Sequence, residues 1–202
     1  MLKVGLTGGI ATGKSTVARM LQEKGAFLID FDELTRQAEE PGQPAWVKIV
    51  DYFGPAILNE DGTIDRKKLG AIVFGDSEKL TVLNEIVHPD LFSRWHILVA
   101  EIAKSEPAAI IISDIPLLIE KGLQDDFDVV VLVYAPRAQQ VARLRERNGS
   151  SPEEAEQRLA SQMPIEEKRA LADIVLDNSA CLDKTGQLVD DLWKELQSLN
   201  VS

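Results

Sequence analysis

Near its N-terminus the chain reads Lys3-Val4-Gly5-Leu6-Thr7-Gly8-Gly9-Ile10-Ala11-Thr12-Gly13-Lys14-Ser15-Thr16. This run contains the pattern G-x-x-x-x-G-K-[ST], with Gly8, Gly13, Lys14 and Ser15 at its fixed positions. A short apolar segment precedes the pattern, and apolar residues follow it at helical spacing. Strand, loop and helix in that order favour a phosphate-binding loop over a glycine-rich turn that happens to have a lysine nearby.

Each residue type in this loop suits the binding of phosphate groups. Gly8 and Gly13 allow tight turns and let the backbone approach a ligand closely. The N–H groups of such a loop point inward and surround oxyanions, and the positive end of the following helix lies at the same place. We expect Lys14 to reach the β- and γ-phosphates of a nucleotide and the Ser15 hydroxyl to bind Mg²⁺.

Composition narrows the class of protein. The chain has 202 residues, 45% of them hydrophobic, and a net charge of -11. A non-specific nucleic-acid binder is usually basic, so we expect no nucleic-acid partner. The single cysteine, Cys181, excludes an internal disulfide and suits a reducing compartment. No apolar run is long enough to span a membrane, and a signal peptide is not expected because the glycine-rich loop begins at Gly8. The sequence therefore predicts a soluble cytoplasmic protein.

Five apolar segments predict an α/β fold with a central parallel sheet. After the first strand at Leu2 to Leu6, further buried strands are expected at residues 26–30, 108–114, 128–135 and 173–178. Their β-branched content favours parallel strands. The third strand ends in Asp114, as a Walker B strand does, where the carboxylate orders Mg²⁺, usually through water.

Two aspartates follow the second predicted strand. Ligands of open α/β sheets bind beyond the carboxyl ends of the strands, so Asp30 or Asp32 is a candidate for the reaction site. Strand alternation would place both on one side if the strand continues. Asp32 could equally be the N-cap of a helix beginning at Glu33. Spacing alone leaves these two interpretations open.

Residues 33 to about 106 are too many for a simple crossover between strands, which needs about a dozen residues. Apolar residues at helical spacing recur between turn clusters, which predicts an inserted helical region that binds a second substrate. Arg36 and Arg66 are basic residues that could contact this substrate, or they could be ordinary surface charges. His88 precedes Pro89 and is either structural or part of the substrate site.

Arginines are concentrated after the fourth predicted strand. Arg143 and Arg147 are four residues apart and would share a helix face. A second helix is predicted to begin near Pro152. Such a hairpin could be a mobile lid that binds phosphates and excludes water, or an ordinary helix with a solvated basic face.

With these segments placed, the chain resembles the dephospho-CoA kinase family over nearly its whole length. The joint order of many short matches carries the resemblance. They are Leu6-Thr7-Gly8-Gly9-Ile10, Gly13-Lys14-Ser15, Asp30-Phe31-Asp32, Arg36, Pro41-Gly42, Phe53-Gly54, Asp61-Gly62, Asp65-Arg66, His88-Pro89, Pro116-Leu117-Leu118-Ile119-Glu120, Arg143, Arg147, Lys168, Ala172-Asp173 and Asp177-Asn178.

The resemblance implies transfer of the ATP γ-phosphate to the ribose 3′-hydroxyl of dephospho-CoA, which gives CoA and ADP in the last step of CoA synthesis. It implies a P-loop NTPase fold, a three-layer α/β/α arrangement with a parallel five-stranded sheet. The implied parts are a nucleotide-binding core (residues 1–31, 107–135 and 166–202), a helical CoA domain (32–106) and a lid (136–165). We expect a cytoplasmic monomer or weak homo-oligomer that uses ATP and Mg²⁺.

The resemblance also implies roles for individual residues. Asp32 corresponds to the proposed general base, which favours catalysis over capping, and Lys14 and Arg143 join it as catalytic residues. The expected nucleotide-binding residues are Gly8, Gly9, Ala11, Thr12, Gly13, Lys14, Ser15, Thr16 and Arg147. The expected acceptor-binding residues are Asp32, Arg36, Arg66, His88, Pro116, Leu117 and Glu120, and Ser15 is the expected metal ligand.

Two positions depart from the family pattern. Ala11 stands where the family often has glycine, and alanine restricts φ more than glycine does. Asn148 stands where the lid commonly has aspartate. Other functional classes are a different small-molecule P-loop kinase, a nucleotide-binding partner protein without activity, and a regulatory GTPase. The last would need an N-K-x-D motif, which the sequence lacks.

Overall fold

The computed structural model describes residues 1–200, and its core is a five-stranded sheet in the order β2-β3-β1-β4-β5. The strands are β1 (Leu2–Gly8), β2 (Phe27–Asp30), β3 (Ile110–Asp114), β4 (Val129–Tyr134) and β5 (Ile174–Asp177). β1 pairs in parallel with both β3 and β4, and β4 pairs in parallel with β5. The predicted α/β class and parallel sheet are confirmed. Because the chain crosses to opposite sides of β1, the loop after β1 lies at a topological switch point, where ligands of such sheets bind.

Helices and loops connect the strands, with short 3₁₀ turns at Pro55–Ile57 and Gln124–Asp126. The helices are α1 (Lys14–Glu23), α2 (Phe31–Ala38), α3 (Pro44–Phe53), α4 (Arg66–Val73), α5 (Ser77–Ser105), α6 (Arg137–Asn148), α7 (Pro152–Ala160), α8 (Ile165–Arg169) and α9 (Leu182–Leu199). None of the helices within residues 1–200 is long and apolar enough to cross a membrane.

The backbone divides into two compact units, and the first contains residues 1–29 and 102–200 of the described chain. Alternate residues of β1 pack on one side of the sheet against the apolar faces of α1 and α9. Val189, Leu192 and Leu196 recur at helical spacing in α9 and are buried there. On β4, Leu132 and Tyr134 belong to a separate cluster with Ile165 of α8. Both faces of the sheet are therefore covered by helices, as parallel sheets require.

The second unit, Asp30–Glu101, is helical and has its own apolar core. Ile49 and Ile57 are fully buried at its centre, with further apolar residues of α4 and α5 around them. Phe31, Phe92 and Trp95 form edge-to-face and tilted ring contacts with centroids 5.8 to 6.2 Å apart. These ring contacts tie the first residue of α2 to α5.

Candidate active site

The loop between β1 and α1 has the backbone conformation of a phosphate-binding loop. Gly13 has φ 90° and Ala11 has φ 61°, both in the left-handed region. The Thr12 N–H and its hydroxyl both donate to the Gly9 carbonyl oxygen, over 3.2 and 2.9 Å. A Cβ at Gly8 would lie 2.7 Å from the Thr12 hydroxyl, so a side chain there would disrupt this turn. Alternating backbone conformations of this kind create a concave, anion-binding row of N–H groups.

Ala11 accepts the left-handed conformation that its position requires. For a residue with a Cβ this conformation costs roughly 1–2 kcal/mol. Its side chain and that of Ile10 pack against a cluster on α6 and α7 that contains Leu144, Ala155 and Leu159. The alanine at this departure from the family pattern therefore adds an apolar contact that a glycine could not make.

The start of α1 places Lys14 beside the carboxylate that ends β3. α1 begins at Lys14 with Gly13 as its N-cap, and no side chain caps this positive end of the helix, where an anion can bind. The Thr16 N–H donates to the Gly13 carbonyl oxygen over 3.0 Å. The Lys14 ammonium forms an ion pair with Asp114 Oδ1 at the end of β3. Because Leu6 pairs with Asp114 in the sheet, the β1 loop and the β3 end are adjacent. The structure thus brings the predicted lysine and the Walker B-like carboxylate together.

Ser15 lies in the first turn of α1 with an exposed side chain, and the Asp114 side chain remains partly accessible. Hydroxyl and carboxylate oxygens are the hard ligands that Mg²⁺ prefers, together with water and substrate phosphates. Within residues 1–200 there is no group of three or more His, Cys, Asp or Glu side chains that could bind a metal on its own. The donors at this position therefore fit a magnesium ion that shares its coordination with a nucleotide.

The predicted lid residues form the hairpin of α6 and α7, which packs on the phosphate loop. A capping box of Ser151 and Glu154 fixes the start of α7. After α7, the Gln162 side chain accepts a hydrogen bond of 3.0 Å from the Ile10 N–H. Part of the loop is therefore held by the segment that follows the hairpin.

The two lid arginines occupy different environments. Arg143 is half-buried and donates from Nη2 to the Asn178 carbonyl oxygen over 2.8 Å, with Nη1 3.5 Å from the Thr12 carbonyl oxygen. Arg147 is exposed, and its Nε donates to Asn148 Oδ1. Arg143 therefore contacts the phosphate loop directly, whereas Arg147 projects from the hairpin surface.

The segment after β3 is supported from inside the first unit. The Pro116 carbonyl oxygen accepts hydrogen bonds from the Thr7 hydroxyl at 3.2 Å and from Lys168 Nζ at 3.4 Å. Lys168 is fully buried, and its Nζ lies 2.6 Å from Glu120 Oε1. Leu117 is half-buried. A buried charge needs a partner, and Glu120 supplies it, so Glu120 and Lys168 hold this segment in shape.

The start of the helix after β2 excludes the interpretation of Asp32 as an N-cap. α2 begins at Phe31, and Asp30 is its N-cap, with Oδ1 accepting from the Asp32 and Glu33 N–H groups at 2.8 and 3.2 Å. The alternative that Asp32 caps a helix beginning at Glu33 is wrong. The condition for placing both aspartates on one side of a strand is not met, because the chain turns helical at Phe31. Asp32 lies in the first helical turn with an exposed carboxylate.

The other residues expected to bind the acceptor lie in the second unit. Arg36 is exposed and pairs with Glu33 one helical turn away, at 2.8 Å. Arg66 is exposed and pairs with Glu39, whose pKa is raised by burial and only partly restored by the guanidinium. His88 is half-buried with its ring edge-on to Phe92. The binding roles of all three residues stay predictions.

Sequence patterns missed several residues that shape the phosphate loop. Gln162 and Thr185 belong to no motif, and Asn178 matched the family pattern without a stated role. Asn178 Nδ2 donates to the Thr12 carbonyl oxygen over 2.7 Å, and the Thr185 hydroxyl donates to Asn178 Oδ1. These partners are more than 150 residues from the loop in sequence, so no local spacing signal could have indicated them.

Comparison with known proteins identifies similar chains. A family model described as Dephospho-CoA kinase matches residues 2–184. A dephospho-CoA kinase of Syntrophus aciditrophicus is 56% identical over 196 residues, which are 97% of this chain and 83% of the relative. The crystal structure of TT1252 from Thermus thermophilus has a TM-score of 0.81 at 35% identity and covers 96% of this chain and 97% of that one. A dephospho-CoA kinase from Campylobacter jejuni has a TM-score of 0.70 at 28% identity, with 98% of each chain covered.

Proposed function

The chain belongs to the dephospho-CoA kinase family, and from this membership we propose how its residues move the γ-phosphate of ATP to the ribose 3′-hydroxyl of dephospho-CoA. The reaction gives CoA and ADP and is the final step of CoA biosynthesis. The observation that carries the residue assignment is the pairing of Lys14 with Asp114 at the N-terminus of α1, directly beside the glycine-rich loop.

The loop and α1 bind the triphosphate. Backbone N–H groups of the loop bind the phosphate oxygens, with the positive end of α1 behind them. The N–H groups of Ile10, Thr12 and Thr16 are the exceptions, because they donate to Gln162, Gly9 and Gly13. When the nucleotide binds, the Lys14 ammonium either leaves Asp114 or contacts Asp114 and the phosphates together. In both cases it offsets the negative charge on the β- and γ-phosphates. Such stabilisation acts most strongly where charge is spread in the transition state, so it accelerates transfer rather than only tightening binding.

Mg²⁺ would be held by the Ser15 hydroxyl, with Asp114 orienting its water ligands. A bound Mg²⁺ neutralises phosphate charge and fixes the orientation of the triphosphate. The fit of hydroxyl and carboxylate oxygens at this position supports the assignment.

Asp32 accepts the proton of the acceptor hydroxyl. Its exposed carboxylate is free of the capping role, which belongs to Asp30, and so it is available to a substrate. Arg36, Arg66 and His88 bind the acceptor in the helical unit. Pro116, Leu117 and Glu120 contribute from the segment after β3, whose shape depends on Lys168.

The α6–α7 hairpin acts as the lid. Arg143 stabilises the charge of the transferring phosphoryl group, and Arg147 binds the nucleotide from the exposed face of α6. The position of Arg143 beside the Thr12 backbone supports this division of roles. The parts are the core (1–31, 107–135 and 166–202), the CoA domain (32–106) and the lid (136–165). We further propose a cytoplasmic enzyme that is a monomer or a weak homo-oligomer, to be measured by sedimentation.

A coupled ADP-release assay tests the function. The purified protein is given ATP and Mg²⁺ without acceptor, with dephospho-CoA, or with each of a panel of nucleosides. We expect ADP release to depend on dephospho-CoA and the product to carry phosphate at the ribose 3′ position. Faster release with a nucleoside than with dephospho-CoA would assign the chain to a different small-molecule kinase.

A further inference from the structure

The peptide group between Thr12 and Gly13 is held from outside the phosphate loop by two residues near the C-terminus. Asn178 Nδ2 donates to the Thr12 carbonyl oxygen over 2.7 Å, and the Thr185 hydroxyl donates to Asn178 Oδ1. Thr12, Thr185 and Asn178 are 0%, 2% and 8% exposed. We propose that Asn178 and Thr185 are positioning residues that direct the Gly13 N–H towards the phosphates, a role that rests on the proposed function of the loop.

Peptide geometry connects the two sides of this group. A trans peptide is planar, so its C=O and N–H point in opposite directions, and there is no cis peptide bond in residues 1–200. Because the Thr12 carbonyl is directed at Asn178, the Gly13 N–H is directed away from Asn178. α1 begins at the next residue, and so the Gly13 N–H lies at the positive end of this helix, where anions bind. Rotation of this peptide would remove one donor from the phosphate site.

The chemistry of the contact requires an asparagine. A carbonyl oxygen only accepts hydrogen bonds, so the amide must present Nδ2 to Thr12 and Oδ1 to Thr185. The Thr185 hydroxyl must then donate, and it fixes the orientation of the amide. An aspartate at position 178 would place a carboxylate oxygen against the Thr12 carbonyl, and both groups would be acceptors.

The amide also touches the backbone of Gly13. A Cβ at Gly13 would lie 2.2 Å from Asn178 Nδ2, so this glycine is required by contact as well as by its φ of 90°. Arg143 Nη2 donates to the Asn178 carbonyl oxygen over 2.8 Å and thereby holds the main chain that carries the amide. The Asn178 N–H in turn donates to the Tyr134 carbonyl oxygen over 2.8 Å. The side chain therefore projects from a fixed piece of backbone.

Four variants test the proposal in the full chain. Thr185→Val removes the hydroxyl at nearly constant volume, and Thr185→Ser restores it. Asn178→Asp removes the donor to Thr12. Thr81→Val is a control for the loss of a helical threonine hydroxyl, because the hydroxyls of Thr81 and Thr185 both approach the carbonyl oxygen four residues earlier, and Thr81 has no part in the loop.

The measurement is the dissociation constant of ADP and of inorganic tripolyphosphate, which has neither base nor ribose, by calorimetry. Weakening one hydrogen bond to a charged phosphate should raise both constants by about threefold to tenfold in Thr185→Val, and by about tenfold or more in Asn178→Asp. Thr185→Ser and Thr81→Val should stay within about twofold of the parent. In the kinase assay, KM for ATP should rise in Thr185→Val while KM for dephospho-CoA stays unchanged.

Tripolyphosphate binding unchanged in Thr185→Val would overturn the proposal, as would a failure of Thr185→Ser to restore it. If Asn178→Asp does not fold, the comparison of Thr185→Val with Thr185→Ser tests the proposal, because these two substitutions nearly conserve the shape of the side chain. Binding does not depend on the acceptor. A parent protein that binds tripolyphosphate but does not phosphorylate dephospho-CoA would thus contradict the proposed function without affecting this inference.

Discussion

Replacing Asp32 by asparagine should separate proton acceptance from helix capping at the start of α2. The Asp30 side chain accepts the N–H groups of Asp32 and Glu33, so the cap stays intact in Asp32→Asn. An amide cannot take the hydroxyl proton, and loss of a general base typically costs about 10² to 10⁴ in rate, or about 3–5 kcal/mol in the barrier. We therefore expect kcat to fall by that factor while the affinity for ATP stays close to that of the parent.

The stability of Asp32→Asn should change only slightly. An exposed carboxylate in the first helical turn contributes about 0.3–1 kcal/mol through the helix dipole. For a chain of this size, that corresponds to a decrease in Tm of no more than about 2–4 °C. Removal of the true cap in Asp30→Ala should cost about 1 kcal/mol and lower Tm by a similar amount. The two variants are therefore matched in stability and differ in chemistry, since Asp30→Ala should keep kcat within about tenfold of the parent. Asp30→Asn keeps the capping oxygen and should resemble the parent in both measurements.

The assay is ADP release at saturating ATP and dephospho-CoA, with ATP affinity and thermal melting measured on the same preparations. A kcat of Asp32→Asn within about threefold of the parent would refute the assignment of Asp32 as the base. Equal losses of rate in Asp32→Asn and Asp30→Ala would also refute it, because the geometry of the helix end would then explain both.

Further predictions concern the phosphate site and the second unit. Lys14→Met should lower kcat by at least about 100-fold with a native circular dichroism spectrum, because it removes the positive charge that offsets the charge of the phosphates. A near-normal kcat would contradict the assignment of the loop. Arg143→Ala should reduce kcat/KM for ATP far more than Arg147→Ala, since only Arg143 contacts the loop backbone; equal effects in steady-state kinetics would show this distinction to be mistaken. Burial raises the pKa of Glu39, so the folded state binds the Glu39 proton more tightly than the unfolded state does. The free energy of unfolding therefore falls as pH rises from the ordinary glutamate pKa of about 4.3 towards the raised pKa of the folded state. Urea unfolding at about pH 3.5 to 6 spans that pKa. It should show Glu39→Gln gaining stability relative to the parent as pH rises. A pH-independent difference between the two free energies of unfolding would exclude this linkage.

Local sequence was sufficient for the elements whose signals lie within a few residues. The glycine-rich loop, the helix that follows it and the strand ending in Asp114 were predicted from spacing, apolar runs and backbone preferences, and the sheet class followed from the strand pattern. Such features are encoded locally because φ restrictions and the periods of helix and strand act between near neighbours. The family resemblance added the reaction, which no local pattern specified.

Tertiary structure alone determined which side chains support that loop. Asp30 rather than Asp32 caps α2 because the helix begins at Phe31, two residues before the start at Glu33 that the sequence left open. Lys14 meets Asp114, and Asn178 meets Thr12, across 100 and 166 positions of sequence. Those contacts arise from the order in which the strands pair and from the packing of α9 on the sheet. This topology determines which carbonyl a buried amide side chain such as that of Asn178 meets. The residues next to Asn178 in sequence cannot specify a carbonyl that lies far away in the chain.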